Sequence, residues 1–113
     1  MHLAGTTTRL TILIGDDDRW QHHALHHEIV LRARRAGLAG TTVLHGCEGF
    51  GTHSFVHTDR FPDTADSLPI AVIVVDTDER IQGFLPELDE LVTEGTVIVD
   101  EVEVVRHTGK QPS

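Results

Sequence analysis

The chain has 113 residues, of which 39% are hydrophobic and 4% aromatic, so one domain with an aliphatic core is expected. Nine Lys and Arg against 18 Asp and Glu give a net charge of −9, which disfavours binding to nucleic acids and anionic membranes. A single cysteine excludes an internal disulfide. The first residues lack a basic start followed by a long apolar stretch, so a cytoplasmic protein is predicted.

The first half of the chain predicts a strand followed by a helix. Residues 1–8 are small and polar and are expected to form a flexible tail, whereas the alternation over residues 9–15 predicts a strand. A helix is predicted over residues 20–36, ended by Gly37 and capped by one of the acids at 16–18. Its apolar positions recur at spacings of four, four and three: Leu25, Ile29, Ala33 and Ala36.

The middle of the chain predicts two strands joined by a long loop. Residues 41–45 form a second predicted strand, which is followed by the sequence GCEGFG at residues 46–51. Residues 52–68 are polar and contain a proline, and they are predicted to form a long mobile loop with a function. Residues 69–76, PIAVIVVD, are apolar at nearly every position, which predicts a strand with both faces covered.

The last third predicts a helix and a final strand. Asp76 or Thr77 is expected to cap the helix, Pro86 to kink or break it, and Gly95 to end it. The strand is expected over residues 96–107. Its valines change parity in mid-strand, which predicts a bulge or a corner near Asp100 and Glu101.

The order βαββαβ indicates an α+β fold of the ferredoxin-like type, with the domain at residues 9–106 and flexible tails at 1–8 and 107–113. Two helices would cover one face of the four-stranded sheet. The other face would be apolar and bare in a monomer. A second subunit is therefore expected to pack against it.

Several segments together resemble a bacterial and archaeal family known as domain of unknown function 190, which is related in fold to the PII signal-transduction proteins. They are RLTILIGDDDRW, RARRAGLAG, EGFG, SLPIAVIVVD, FLPELDELVTEG and DEVEVV. The resemblance implies a PII-like homotrimer whose sheets face inward. It also implies small-ligand binding in clefts between subunits, with the long loop reporting the ligand to a partner. Relatives are often encoded beside a fluoride-exporting channel, which suggests a membrane-transporter partner.

The same resemblance implies that the glycine-rich segment supplies backbone amides to an adenine nucleotide, AMP, ADP or ATP. The candidate contact residues are Gly46, Gly49, Phe50, Gly51, His57 and Arg60. From the pattern alone these glycines also fit a turn at a strand end. Thr52 and His53 stand where PII proteins have cations, and acids outnumber cations in the loop. A monophosphate or an uncharged adenosine-like ligand is therefore favoured over ATP.

A second function is suggested by four histidines in the sequence HHALHH: His22, His23, His26 and His27. On a helix, pairs at i and i+4 share a face and could hold Zn or Cu through imidazole nitrogens. A metal-binding protein of the CutA kind is thus the alternative. A solvated helix face explains the same histidines, and a purely structural oligomer is a third possibility.

The remaining polar motifs indicate structure rather than chemistry. The acids at 16–18 could bind Mg²⁺, but a helix cap with a solvated turn is favoured. Asp76 could touch a ligand at the end of its strand, but a helix cap explains it as well. Cys47 has no evident base beside it in the sequence. Neither a Ser/His/Asp order nor an H-E-x-x-H pattern occurs, so the protein is predicted not to be an enzyme.

Overall fold

A computed structural model describes residues 5–49 and 68–109. In chain order the elements are β1 (Gly5–Gly15), β2 (Arg19–Trp20), β3 (His23–Ala24), α1 (Leu25–Arg35), β4 (Thr41–His45), β5 (Pro69–Asp76), α2 (Asp78–Leu91) and β6 (Thr96–Val104). Apart from the short β2–β3 ribbon, this is the predicted βαββαβ order. The ferredoxin-like α+β fold is therefore confirmed.

The sheet has the strand order β4-β5-β1-β6, with β1 and β5 as its two central strands. Strand β1 pairs antiparallel with β5 from Thr8 to Gly15 and with β6 from Gly5 to Leu13. Strand β4 pairs antiparallel with β5 and forms one edge. The two strands that flank residues 50–67 are therefore direct neighbours in the sheet.

The core lies between the sheet and the two helices. Alternate residues of β1 and β5 point into it, and the helices contribute residues at spacings of three and four. Its buried hydrophobic members are Leu10, Ile12, Ile14, Leu25, Ile29, Ala33, Ile70, Val72, Val74, Ile81, Phe84, Leu88 and Leu91. None of the described helices is long and apolar enough to cross a membrane.

The opposite face of the sheet, here called the bare face, has no helix over it. Large apolar side chains stay accessible there, with Leu13 and Ile98 each 41% exposed and Leu44 52% exposed. Ile98 faces Thr11 across the ladder and Leu44 faces Ala71, so all three belong to the side opposite Leu10 and Ile12. The alternation in β5 is accordingly buried and half-buried, so the subunit itself covers only one face of this strand, and the predicted cover of the other face stays a prediction.

The bulge predicted near Asp100 and Glu101 is absent from β6. The register with β1 is continuous from the pair Leu13–Thr96 to the pair Gly5–Val104. Val97 and Val99 share the helix side with Ile12 and Leu10, whereas Val102 and Val104 lie on the bare face. The valines therefore change parity because they lie on the helix side in the first half of β6 and on the bare face in the second half. No extra residue is inserted in the strand.

Strand β1 and helix α1 begin at other residues than predicted. Residues 5–8, expected in a flexible tail, continue β1 to Gly5 and pair with β6. Helix α1 begins at Leu25 instead of residue 20, because Arg19–Trp20 pairs with His23–Ala24 across a tight turn. Gln21 has a φ of 56° in that turn, which periodicity does not reveal.

The helix caps also differ from expectation. Helix α1 has Ala24 at its N-cap without a side-chain hydrogen bond, so the acids at 16–18 do not cap it. Thr77 caps α2 by accepting from the backbone of Arg80. Helix α2 continues through Pro86 without a break, and it ends at Leu91 rather than at Gly95.

Candidate ligand site at the ends of strands β4 and β5

The end of β4 and the start of β5 meet closely at Gly46. Its N–H donates to the Pro69 carbonyl at 2.7 Å. A Cβ at position 46 would lie 2.6 Å from Pro69 Cγ and 3.1 Å from the Pro69 oxygen, so only glycine fits. Gly49 has a φ of 156°, and its Cβ would lie 3.3 Å from Pro69 Cγ. These glycines hold the chain against Pro69 just before residue 50.

Leu68, on the other side of residues 50–67, is held by two hydrogen bonds to Asp16. The Asp16 N–H donates to the Leu68 carbonyl at 2.8 Å, and the Leu68 N–H donates to Asp16 Oδ1 at 3.0 Å. The neighbouring turn is closed by the Gly15 N–H, which donates to Asp18 Oδ2 at 2.9 Å. Asp16 therefore anchors the segment that enters β5, and Asp18 closes the turn beside it.

Two imidazoles face each other beside these anchors. The His26 and His45 rings meet edge to face, with their centroids 5.6 Å apart. His26 Nδ1 is buried and has no hydrogen-bond partner among the described residues. Burial, the charge of His45 and the charge of His27 lower the pKa of His26, and Asp16 partly opposes them. We call Asp16, His26, His45, Gly46, Leu68 and Pro69 the loop base.

A groove of about 420 Å³ lies at the opposite end of β4, and we call it the β4–β6 groove. It is lined by residues of three strands and the segments beside them: Ala39, Gly40, Thr41, Thr42, Ile73, Val75, Val104 and His107. Its walls thus combine aliphatic side chains with two threonine hydroxyls. His107 is one of the lining residues, and its Nδ1 is buried without a hydrogen-bond partner among the described residues, so part of its hydrogen-bonding capacity is unused within the subunit.

Asp76 holds the backbone at the rim of the β4–β6 groove by hydrogen bonds. Its side chain is fully buried. Its Oδ2 accepts from the Ala39 N–H at 2.8 Å and its Oδ1 from the Thr77 N–H at 2.7 Å. Asp76 therefore joins the end of β5 to the segment that leads into β4, which is a structural role.

The loop base and the β4–β6 groove cannot form one pocket within a subunit. Thr41 and His45 are the two ends of β4, roughly 13 Å apart at the rise of a strand. Thr42 also lies on the bare face, because it pairs with Ile73, whereas His45 pairs with the buried Ile70. The loop base and the β4–β6 groove therefore lie at opposite ends of β4 and on opposite faces of the sheet.

The structure brings together only part of the predicted nucleotide-binding set. Gly46 belongs to the loop base, and Gly49 lies next to it, close to Pro69. Phe50, Gly51, His57 and Arg60 lie outside the described residues, and so does the predicted loop apart from Leu68. Cys47 is exposed. The predicted nucleotide contacts of all six residues, including Gly46 and Gly49, therefore remain predictions.

The predicted helical pairing of the four histidines is wrong. His22 lies in the turn of the β2–β3 ribbon and His23 in β3, so only His26 and His27 are on α1. Within residues 5–49 and 68–109, no three His, Cys, Asp or Glu side chains are grouped to hold a metal ion. The partner of His26 is instead His45, which the sequence analysis did not select.

Comparison with known proteins identifies the family. The family model DUF190, described as "Uncharacterized ACR, COG1993", matches residues 7–104. The chain belongs to this family. A UPF0166 protein of Aquifex aeolicus is 27% identical over 96 residues, which cover 85% of this chain and 90% of the relative.

Solved structures confirm the PII-like fold. The PII-like protein CPII of Thiomonas intermedia K12, bound to ADP, AMP and bicarbonate, superposes with a TM-score of 0.59 at 22% identity, covering 89% of this chain and 90% of CPII. A putative PII-like signaling protein of Thermus thermophilus gives 0.60 at 21% identity, covering 89% and 91% of the two chains. At these identities the comparison establishes the fold.

Proposed function

We propose that this protein is a PII-like regulator that binds an adenine nucleotide in clefts between the subunits of a homotrimer. Each cleft combines the loop base of one subunit with the β4–β6 groove of its neighbour. Ligand binding is then passed to a partner protein, such as a membrane transporter, through residues 52–68. Its role is regulatory, not catalytic.

The separation of the two half-sites is the observation that carries this proposal. The glycine-rich segment implied by the family lies at one end of β4, and the groove with the unpartnered His107 nitrogen at the other. A ligand can touch both only if a second copy supplies one of them. The exposed apolar residues Leu13, Leu44 and Ile98 give that copy a surface to cover. The ADP and AMP bound to the similarly folded CPII support an adenine nucleotide.

The charges near the half-sites favour a ligand with few phosphates. The loop base carries Asp16, with Glu48 two residues beyond Gly46. The groove offers hydroxyls and an imidazole rather than a lysine or arginine. Each added phosphate brings negative charge to an already acidic chain. We therefore expect AMP to bind more tightly than ATP in the absence of a divalent cation.

Isothermal titration calorimetry tests the proposal with AMP, ADP, ATP and Zn²⁺ on the full chain. The variant Gly51→Asp places a carboxylate in the segment that is proposed to meet the nucleotide, so nucleotide binding should be lost. Gly83→Ala is the matched control, because a Cβ there meets nothing within 4 Å and the residue lies on α2.

The outcomes separate the three functions. Binding of a nucleotide by the wild type and by Gly83→Ala, but not by Gly51→Asp, supports a nucleotide regulator. Zinc binding that is lost in the double variant His23→Ala and His27→Ala supports the CutA-like alternative instead. An absence of heat with all four compounds contradicts both and leaves a structural oligomer.

A further inference from the structure

The edge strand β6 leaves part of the helix side of the sheet uncovered. Val97 and Val99 pair with Ile12 and Leu10, so all four side chains point to the helix side. Ile12 and Leu10 are fully buried, yet Val97 and Val99 are 42% and 39% exposed. Helix α2 packs against β1 and β5, and α1 packs against β4. The layer of helices therefore ends before it covers the two valines.

Acidic side chains continue the line of these valines along β6. Glu101 and Glu103 pair with Thr8 and Thr6, so they too point to the helix side, and both are exposed. Apolar side chains thus occupy one half of this side of the strand and carboxylates the other half. We call these four residues the β6 row: Val97, Val99, Glu101 and Glu103.

A cleft of about 400 Å³ joins the β6 row to the start of α2, and Val99, Glu101 and Asp78 are among its lining residues. Asp78 is the first residue of α2. Its Oδ1 accepts from the Thr8 hydroxyl at 3.0 Å, which holds the carboxylate beside the row. The residues that line the cleft in the described part of the chain include neither Lys nor Arg. The cleft therefore presents carboxylates that no cation in its lining neutralises.

We propose that the β6 row docks a basic amphipathic helix of a partner protein, which lies along β6 beside α2. Apolar side chains of that helix cover Val97 and Val99, and its Lys or Arg side chains reach Glu101, Glu103 and Asp78. The row is about 20 Å long at the rise of a strand, which corresponds to about four helical turns. A helix suits this place because it would continue the layer that α1 and α2 already form on the sheet.

The charge of the chain favours such a partner over a second copy. With a net charge of −9, another copy brings like charge to the acidic half of the row, whereas a basic helix is attracted to it. The proposed trimer covers the bare face and leaves the row, on the opposite side of the sheet, accessible. The row also lies apart from residues 52–68, so this inference does not depend on nucleotide binding.

A peptide titration on the full chain tests the proposal. The probe is a synthetic helix-forming peptide of about 18 residues with leucines on one face and lysines on the other, and the control is a scrambled peptide of the same composition without an apolar face. Fluorescence anisotropy of the labelled peptides measures affinity, and amide shifts in nuclear magnetic resonance locate the contact. The amphipathic peptide should bind at least tenfold more tightly and shift residues 97–103 and 78–82. Raising the salt concentration from about 0.05 to 0.3 M should weaken it.

Variants of the row separate its apolar half from its acidic half. The double change Val97→Thr and Val99→Thr keeps the branched shape but removes apolar surface, so affinity should fall roughly tenfold. Glu101→Gln together with Glu103→Gln removes two charges, so affinity at low salt should fall several-fold and depend less on salt. Val105→Thr is the matched control, because Val105 follows β6, is 89% exposed and lies outside the row; it should bind like the wild type.

Four results would overturn the proposal. They are an absence of binding up to millimolar peptide, equal affinity for the amphipathic and the scrambled peptide, and amide shifts that lie away from the row. The fourth is a lower sedimenting mass of the Val97 and Val99 double variant, because it would show that a second copy already covers the row. The wild-type titration decides the question even if a variant fails to fold.

Discussion

The two faces of the sheet differ sharply in how far the chain covers them. On the helix side, Leu10, Ile12 and Val72 are fully buried. On the bare face, Leu13, Leu44 and Ile98 come from the same or adjacent strands and stay 41–52% exposed. In β1 and β5 these side chains are thus buried on the helix side only. Val97 and Val99 of the edge strand β6 also lie on the helix side but are 42% and 39% exposed. Apart from this edge, the helix side is buried when a single subunit folds, whereas the bare face would be buried only when subunits associate.

The two halves of the candidate site differ in the same way as the two faces of the sheet. The loop base is a set of internal contacts, with Gly46 against Pro69 and Asp16 against Leu68, and the subunit forms it alone. The β4–β6 groove opens toward the bare face through Ile73, Val75 and Val104. A neighbour that covers the bare face would therefore reach the groove as well. Association and ligand binding are expected to depend on each other.

The largest effect is expected on the covered face. Ile12→Ala removes a fully buried side chain and should lower the free energy of unfolding by about 2–5 kcal/mol. Ile98→Ala is the matched change on the bare face and should cost the isolated subunit much less. Urea denaturation of both variants, monitored by circular dichroism, makes the comparison. Equal losses in a dissociated subunit would contradict the difference between the faces.

The next largest effect concerns association. Ile98→Glu places a charge among the exposed apolar side chains of the bare face, where a second copy would have to desolvate it. Sedimentation equilibrium should show a trimer for the wild type and a single 12.5 kDa chain for the variant. Glu103→Gln, an exposed position on the same strand, is the control. A folded wild-type protein that sediments as a single chain would refute the proposed trimer.

A smaller effect on stability is expected at Asp76, which holds the rim of the β4–β6 groove. Asp76→Ala removes the acceptors of the Ala39 and Thr77 N–H groups, which should cost about 1–3 kcal/mol of unfolding free energy. Asp89→Ala, an exposed acid on α2, should change stability little. Thermal unfolding of the two variants measures the difference. An Asp76 variant as stable as the Asp89 variant would show that the buried carboxylate does not hold this rim.

The smallest effect in the isolated subunit is expected at the ion pair of the bare face. Arg9 donates to both carboxylate oxygens of Asp100, at 3.1 and 2.6 Å, and the pair is exposed to solvent. Such a pair contributes little while water surrounds it, so Asp100→Asn should leave unfolding of a dissociated subunit nearly unchanged. In the trimer the same change should weaken association, because Arg9 would then be covered without its partner. An equal effect in both states would show that the pair stays in water.

Much of the fold could be predicted from short-range patterns. The apolar run of β5, the alternation in β1 and the spacing of Leu25 and Ile29 all indicated the observed elements, because burial on one face imposes a period on the sequence. The start of α1 could not be predicted in this way. Arg19–Trp20 folds back on His23–Ala24 through a left-handed Gln21, and no glycine or asparagine announces that turn.

The candidate site was less accessible to sequence reasoning. The glycines before residue 50 could be recognised as a segment with special backbone needs. The contact of His26 with His45 joins residues that the sheet and helix bring together only after folding. The role of Asp16 as the anchor of Leu68 likewise depends on β1 and β5 being neighbours. The sequence does place His45 directly before GCEGFG, a position that could have selected it.

Subunit complementation tests the shared cleft most directly. Gly51→Asp should impair the glycine-rich segment of the proposed site, and Thr42→Glu should impair the β4–β6 groove. Neither variant should therefore bind AMP as a homotrimer. A mixed trimer of the two variants would contain one cleft with both halves intact. Calorimetry on the co-expressed, co-purified variants should therefore show AMP binding at about one site per three chains. Mixed trimers that bind no AMP, although the wild type does, would contradict a site shared between subunits.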